Sequence, residues 1–560
     1  MTWTQVYDPL GHWWLSTLVA ALPVLVLLTL LAGFKVRPHL CALAGAATAI
    51  LCAILVFGMP ARLAITSFLY GGAFGLLKIV WIVIAAVFLY DISVDTGQFE
   101  IMKQSVSAIT PDRRLQVLIV AFAFGAFLEG AAGFGAPVAI AGAFMIGLGF
   151  KPFQAAVLNL IANTSPVAWG SIGVPVHTLA VVTALPESDL SAMIGRILPL
   201  TAVIIPFWLV RTLVGWAETF EVLPAILVMG ISFAGTQFYW SNHVDSNLVD
   251  IAAGSVSMVA TLLFLRVWKP KRIWRFEDER TEDADKQRRG EHDVVHTPAQ
   301  IAKAWMPFAL LSLFVLMWGL PTIKTALGKA TTPAYRSGGW AVPYLHQAIY
   351  RAQPVVAKPT AENAKFDFNW LTATGTGCFL AAIVAGLLLG LKPNRIIKIL
   401  EGTLYRLRFA VIAMSCMLGL GFVTRYSGMD AVLGLAFTRT GWLFPFFGTY
   451  IGWLGVALTG SDTASNALFG GLQRITAQQL NLSPILMCAT NSAGGVMGKM
   501  IDAQSICIAT AATNQVGNEG IIFRRVFWHS VVLAAMVGVI VMLYAYVFPQ
   551  FIPHGLNFVH

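Results

Sequence analysis

Uninterrupted apolar runs of about twenty residues recur along the 560-residue chain, and each is long enough to cross a bilayer as a helix. They lie near 13–34, 39–58, 74–90, 192–214, 221–240, 247–268, 303–323 and 370–391, with a last run after Arg525. None alternates polar and apolar residues as a barrel strand does, so the pattern predicts an all-α, polytopic helical membrane protein and excludes a β-barrel. At about 20 residues per crossing there is room for about 12–14 spans.

One strongly hydrophilic stretch, 269–302, mixes Lys269, Lys271, Arg272 and Arg275 with Glu277, Asp278 and Glu279. Interspersed signs predict a solvated cytoplasmic linker without chemistry of its own, dividing a first transmembrane half, 1–268, from a second, 303–560. Lys35 and Arg37 follow the first run and no Lys or Arg precedes it, which predicts a retained span with the N-terminus outside. Lys103, Arg113 and Arg114, and later Lys392, Arg395 and Arg406, then fall inside, and the last run ends without a basic residue. Both termini are therefore expected in the periplasm. The loop 324–369 falls outside by parity although it carries Lys329, Arg351, Lys358 and Lys365.

Composition agrees with the pattern. Hydrophobic residues make up 57% of the chain and charged ones only 11%, where soluble domains carry roughly a quarter charged. With 36 Phe and 17 Trp, a disordered or collagen-like chain is excluded. The net charge of +10 points to cytoplasmic loops facing anionic lipid rather than to nucleic acid. The six cysteines lie singly in apolar runs and read as packing residues, with no metal site and no cofactor expected. Trp13, Trp240, Trp305, Trp370 and Trp442, near the ends of runs, read as interface anchors.

Comparing the halves at an offset of about 330 pairs Thr96-Gly97 with Ser427-Gly428, Leu128-x-Gly130 with Leu458-x-Gly460, Asn163-Thr164-Ser165 with Asn491-Ser492-Ala493, and Gly170 with Gly498. Matches in one order at near-constant spacing predict a duplication, and the charge topology makes it two inverted repeats with broken or re-entrant helices. Breaks are expected at Glu129 to Pro137, whose glycines and proline disfavour helix, at Thr459 to Asn466, and downstream at Asn163 to Pro166 and Asn491 to Gly495. Non-helical backbone at membrane depth is tolerated inside protein or beside water, and half-helix N-termini there suit an anionic carboxylate.

Carboxylates within the membrane cost roughly 3 kcal/mol on insertion scales, so Glu129 and Asp462 are assigned to proton coupling. Lys499 is a cation in a neutral stretch, suited to hold a substrate carboxylate or to neutralise Asp462. With Gly130, Gly133, Asn163, Thr164, Ser165, Ser461, Thr463, Ser465, Asn466, Asn491, Ser492 and Gln504, it forms the expected substrate site. Asp502 and Ser505 are expected beside Lys499. Lys78 reads as a snorkelling lysine and His177 as a structural donor.

No Gly-x4-Gly-Lys-Ser/Thr, His-Glu-x-x-His or Gly-x-Ser-x-Gly pattern occurs, which argues against a primary pump, a metalloprotease, a lipase or any other enzyme. The stretches Phe127-Leu-Glu129-Gly-Ala-Ala-Gly-Phe-Gly-Ala-Pro137, Gly147-Leu-Gly-Phe-Lys-Pro152, Leu458-Thr-Gly-Ser-Asp462-Thr-Ala-Ser-Asn466 and Gly498-Lys499-Met-Ile501 resemble the bacterial L-lactate permease family, which includes glycolate permease. The resemblance covers nearly the whole chain, from Tyr7-Asp-Pro9 through Phe366-Asp-Phe368; the chain departs from the family's pattern beside these motifs, at Lys78, Asp91, Asp95 and Asp502-Ala503. It implies a proton-coupled symporter of the inner membrane importing L-lactate, D-lactate and glycolate, whose partners are that hydroxycarboxylate, H+ and the lipid bilayer, with no nucleic acid. From the residues alone, a sodium-coupled carboxylate symporter and a passive anion channel remain alternatives.

Overall fold

The computed structural model describes residues 2–30, 34, 36–107, 110–131, 133, 135–276, 296–330, 339–356, 358–366, 368–515 and 518–555. It is a helical membrane protein. Helices of the first half are α1 (Trp13–Leu28), α2 (Pro38–Leu55), α3 (Ala61–Phe74), α4 (Trp81–Asp95), α5 (Arg113–Ala131), α6 (Ala136–Gly147), α7 (Pro152–Ala162), α8 (Gly170–Thr183), α9 (Glu187–Leu213), α10 (Leu223–His243) and α11 (Val249–Val267). The second half contributes α12 (Pro298–Gly319), α13 (Thr374–Leu388), α14 (Pro393–Ser427), α15 (Met429–Phe437), α16 (Phe444–Thr459), α17 (Asp462–Gln479), α18 (Pro484–Gly498), α19 (Ala503–Ala512) and α20 (Glu519–Tyr546). Proline at the first turn starts α2, α7, α12, α14 and α18, where its missing N–H is no loss.

Among the described residues, seven helices are long and apolar enough to cross a membrane, and a pair bent by 66° at 163–166 makes an eighth. Four further apolar helices are shorter. Fewer full-length spans than the expected 12–14 result because several crossings are divided at breaks. Between its charged ends, α5 is apolar on every side and buried over residues 117–128, the signature of a helix at the centre of a bundle.

The predicted break after Glu129 falls between the end of α5 at Ala131 and the start of α6 at Ala136, where Gly133 and Gly135 take positive φ (+58° and +80°) that glycine adopts without penalty. Its counterpart lies at Gly460 (φ +73°) and Ser461, between α16 and α17. Downstream, α7 ends before Asn163 as expected. The break expected at Asn491 to Gly495 is not there: α18 runs unbroken from Pro484 through Gly498. A side chain at Gly494 would meet the backbone of Thr449, and one at Gly498 that of Trp453, so these glycines admit α16 close against α18 rather than ending the helix. The chain breaks instead at 499–502, about two turns past Asn491. Sequence matching therefore aligned a helix end with a mid-helix segment.

The linker is not wholly a solvated connector. Its first residues dock on a buried Arg114, which donates to Arg272 O at 2.7 Å, to Asp112 at 2.8 Å and to Glu221 at 2.7 Å, while Trp274 N donates to Asp112 at 3.0 Å. Residues 277–295 lie outside the described residues. Trp240 and Trp305 also do more than anchor: Trp240 donates to Asp245 at 3.0 Å, and the Trp305 ring packs against Phe127 at 5.2 Å, tilted by 58°.

The loop before α13 folds against the N-terminus. β1 (Trp3–Thr4) pairs in parallel with β3 (Ile349–Arg351), which pairs antiparallel with β4 (Thr360–Ala361); β2 (Trp340–Ala341) pairs antiparallel with β5 (Lys365–Phe366). Tyr70 and Tyr426 seat this cap on α3 and α14 by donating to Lys365 O at 2.7 Å and Asn363 O at 3.1 Å.

Candidate functional site

The break before α17 sets the site. Gly460 turns the chain in a left-handed conformation, and Ser461 caps α17 by accepting from Ala464 N at 3.3 Å, which leaves Asp462 in the first helical turn. That is the position at which a helix N-terminus favours negative charge. Ser492 on α18 donates to Asp462 Oδ2, and Asn466 Nδ2 donates to the same oxygen at 3.2 Å. Asp462 Oδ1 has no hydrogen-bond partner among the described residues. Asn466 also donates to Pro175 O on α8 at 3.2 Å and accepts from Asn491 at 2.9 Å, so one asparagine joins both halves. Asn491 is 3.4 Å from Ser465, which in turn donates to Gly452 O at 3.2 Å.

Lys499, at the break after α18, donates to Gly460 O at 2.6 Å and stands 3.7 Å from Asp502, the N-cap of α19. Its ammonium is within electrostatic reach of both Asp462 and Glu129. All three are buried, with 7%, 3% and 4% of their surface exposed. A buried ammonium beside carboxylates is the arrangement expected of charges within a membrane protein, where each must find a partner.

These groups line a cavity of about 230 Å³ between the halves. Smaller than the roughly 300–1,000 Å³ typical of drug-sized ligands, it suits a small molecule. Glu129, Ser461, Asp462, Thr463 and Lys499 line it, as do Thr459 and Gly460; Met414, Met417 and Leu418 of α14 supply an apolar wall.

The remaining predicted residues are not in that lining. Gly130 packs against α11, where an added Cβ would stand 2.8 Å from Ile251 N, and Gly133 lies against Ser171. Thr164 donates to Ile161 O at 2.7 Å, Ser165 accepts at its carbonyl from Gln237 at 3.2 Å, and Asn163 sits beside Glu129. Ser465, Asn466, Asn491 and Ser492 form the network behind Asp462. The side chains of Gln504 and Lys78 lie outside the described residues. His177 is held by Glu187 and Asn247, each at 2.8 Å, which is the structural role expected of it.

Sequence reasoning missed a further break. Ser171 (φ +47°), Ile172 (φ +61°) and Gly173 (φ +73°) interrupt α8 and bring Gly170, Ser171, Val174 and Pro175 to the cavity. The Gly170-x-x-Gly173-x-Pro175 spacing was its signal. Asp250 of α11, wholly buried and within electrostatic reach of Glu129, was also missed because it opens an otherwise ordinary apolar run.

The profile of a family described as L-lactate permease matches residues 16–548. Glycolate permease GlcA of Escherichia coli (strain K12) is 45% identical to this chain, over 98% of it and 99% of the relative. The L-lactate permease of Bacillus subtilis (strain 168) is 40% identical, over 99% and 100%. Among solved structures, the chain is similar to the YdaH transporter of Alcanivorax borkumensis with a TM-score of 0.48 and 12% identity, covering 91% of this chain and 98% of that one.

Proposed function

The chain belongs to the L-lactate permease family, and on that premise we propose a secondary active carrier that imports L-lactate, D-lactate and glycolate with protons across the bacterial inner membrane. It is a transporter rather than an enzyme. The observation that carries the reading is the cavity between the halves, in which a helix N-terminus, a buried ammonium and two carboxylates converge from the breaks.

The substrate carboxylate takes the N-terminal end of α17 and Lys499, where unpaired backbone N–H groups and a positive charge meet. Its 2-hydroxyl faces Ser461 and Thr463, and its methyl the methionine wall of α14. The proton rides on Asp462, whose Oδ2 is already held by Ser492 and Asn466 while Oδ1 is left for it; Glu129 is the second acceptor. Rocking one repeat against the other then exposes the cavity alternately to each side.

Uptake of labelled L-lactate into proteoliposomes, competed with glycolate, D-lactate, pyruvate and acetate, tests the reading. Competition by the two hydroxy acids, with acetate far weaker, is expected; equal competition by acetate would remove the 2-hydroxyl from recognition, and no uptake at all would remove the transport assignment.

A further inference from the structure

A second cavity, of about 870 Å³, opens beneath the loop that carries β3, β4 and β5. Its walls hold the guanidinium groups of Arg351, Arg425 and Arg474 against one carboxylate, that of Glu362. Glu362 pairs with Arg351 and, at 3.1 Å, with Arg425. Arg474 donates to the carbonyl of Thr183 and pairs with no carboxylate among the described residues. The Nε atoms of Arg425 and Arg474 are buried without a hydrogen-bond partner among those residues. Asp430, outside the lining, lies within electrostatic reach of Arg351 and Arg425. Three guanidiniums against two acids, with Lys365 at the rim, leave the cavity positive. Holding a desolvated guanidinium without an ion partner is costly, so the arrangement favours occupation by an anion.

The position is as telling as the charge. α8, α14 and α17 line both cavities, at Pro175, Leu418 and Ala467 around Asp462 and at Val181, Arg425 and Arg474 here. Ala467 and Arg474 are seven residues apart on one helix, about 10 Å along its axis.

We propose that this second cavity is an anion vestibule, in which Arg474 and Arg425 bind the carboxylate of a small monocarboxylate before it passes along α8, α14 and α17 to the transport cavity. The passage to the transport cavity and the identity of the anion, a 2-hydroxymonocarboxylate, rest on the proposed transport; the binding of a small carboxylate by these arginines does not. Guanidinium pairs with carboxylate through parallel N–H donors, and the aromatic wall of Tyr70, Phe422 and Tyr426 accepts a short carbon chain.

Charge-selective thiol labelling tests it on the full chain in proteoliposomes. Asn363, exposed on the vestibule wall, is replaced (Asn363→Cys), and its reaction with an anionic methanethiosulfonate is compared with that of a cationic one. The anionic reagent is expected to react faster by about tenfold or more, as field focusing in a charged cleft predicts. Adding Arg474→Gln lowers that ratio, adding Glu362→Gln raises it, and millimolar L-lactate slows labelling unless Arg474 is replaced. Opposite shifts from the two variants exclude general unfolding as the cause. An unchanged ratio in both, or no protection by L-lactate, acetate or glycolate, would overturn the vestibule. Charge selectivity and protection without any uptake would instead defeat the transport reading, and with it the passage, and leave the anion-binding site standing.

Discussion

The ammonium of Lys499 donates to the carbonyl of Gly460 at 2.6 Å, tying the cation at one helix break to the left-handed glycine that makes the other. Two breaks, 39 residues apart in sequence, thus share a hydrogen bond to charge, and the Asp462 carboxylate is presented between them. The bond explains why a lysine is retained in an otherwise neutral stretch: it fixes backbone as well as charge.

Lys499→Met removes a charged hydrogen bond worth about 1.5–3 kcal/mol and leaves Asp502 with one partner fewer, so L-lactate uptake is expected to fall by about tenfold or more. Lys499→Arg, keeping the charge, restores part of it. Initial uptake rates in proteoliposomes, normalised to inserted protein, measure both; equal rates in wild type and Lys499→Met would detach this lysine from transport.

Gly170 abuts Glu129 so closely that an added Cβ would stand 2.5 Å from Glu129 Oε1. Gly170→Ala is therefore expected to destabilise the protein by about 1–3 kcal/mol through overpacking. In a Glu129→Ala background the clash has no partner and most of that cost disappears. Thermal unfolding of the four proteins in detergent gives the coupling, and additive shifts would place the two residues out of contact.

Asp430 follows the end of the long α14 span and supplies the pH dependence of the vestibule. Burial pushes its carboxyl up to about 6, against the pull of Arg351, the Ala431 N–H and Arg425. Burial also opposes charge on Glu362, but Arg425 and Arg351 outweigh it and hold that carboxyl below its usual range. Glu362 thus stays ionised while Asp430 takes up a proton as pH falls through about 6. Arg351, Arg425, Glu362 and Tyr7 surround Asp430, whose carboxyl changes charge in this window, and the vestibule is also lined by His346. The folded state binds that proton more readily than the unfolded chain, so this carboxyl's contribution to stability declines as pH rises from about 4 through 6. Protection of Asn363→Cys by L-lactate should strengthen between pH 7 and 5, and Asp430→Asn should flatten the profile. A profile that the asparagine leaves unchanged would assign the titration elsewhere.

Arg114 is wholly buried and holds Asp112, Glu221 and the start of the linker together. Arg114→Ala leaves the Asp112 carboxylate buried with no guanidinium, a loss of about 3–5 kcal/mol. The expected result is a marked drop in thermal stability in detergent. A drop no larger than that of an exposed arginine such as Arg395 would contradict the pairing.

How much of this was legible beforehand differs by element. Apolar runs located α9, α10, α11, α12 and α20, because a bilayer demands length and hydrophobicity and both are written locally. Glu129, Asp462 and Lys499 stood out since a charge in a membrane segment needs a reason. The Asn491 to Gly495 break failed because glycine serves two purposes, ending a helix or admitting a neighbouring one, and only the position of α16 decides between them. The vestibule was hidden for a similar reason. Arg351 read as a charge at odds with the topology of its loop, whereas its partner Glu362 and its neighbours Arg425 and Arg474 meet it only in the folded chain.

The central claim is that Asp462 carries the coupled proton. Proteoliposomes holding wild type or Asp462→Asn are given an inward pH gradient without sodium, and L-lactate accumulation and lactate–lactate counterflow are recorded from the same preparation. Wild type should accumulate L-lactate on the pH gradient alone, whereas Asp462→Asn should still exchange it and fail to concentrate it. Uphill accumulation by Asp462→Asn equal to that of wild type would contradict the account.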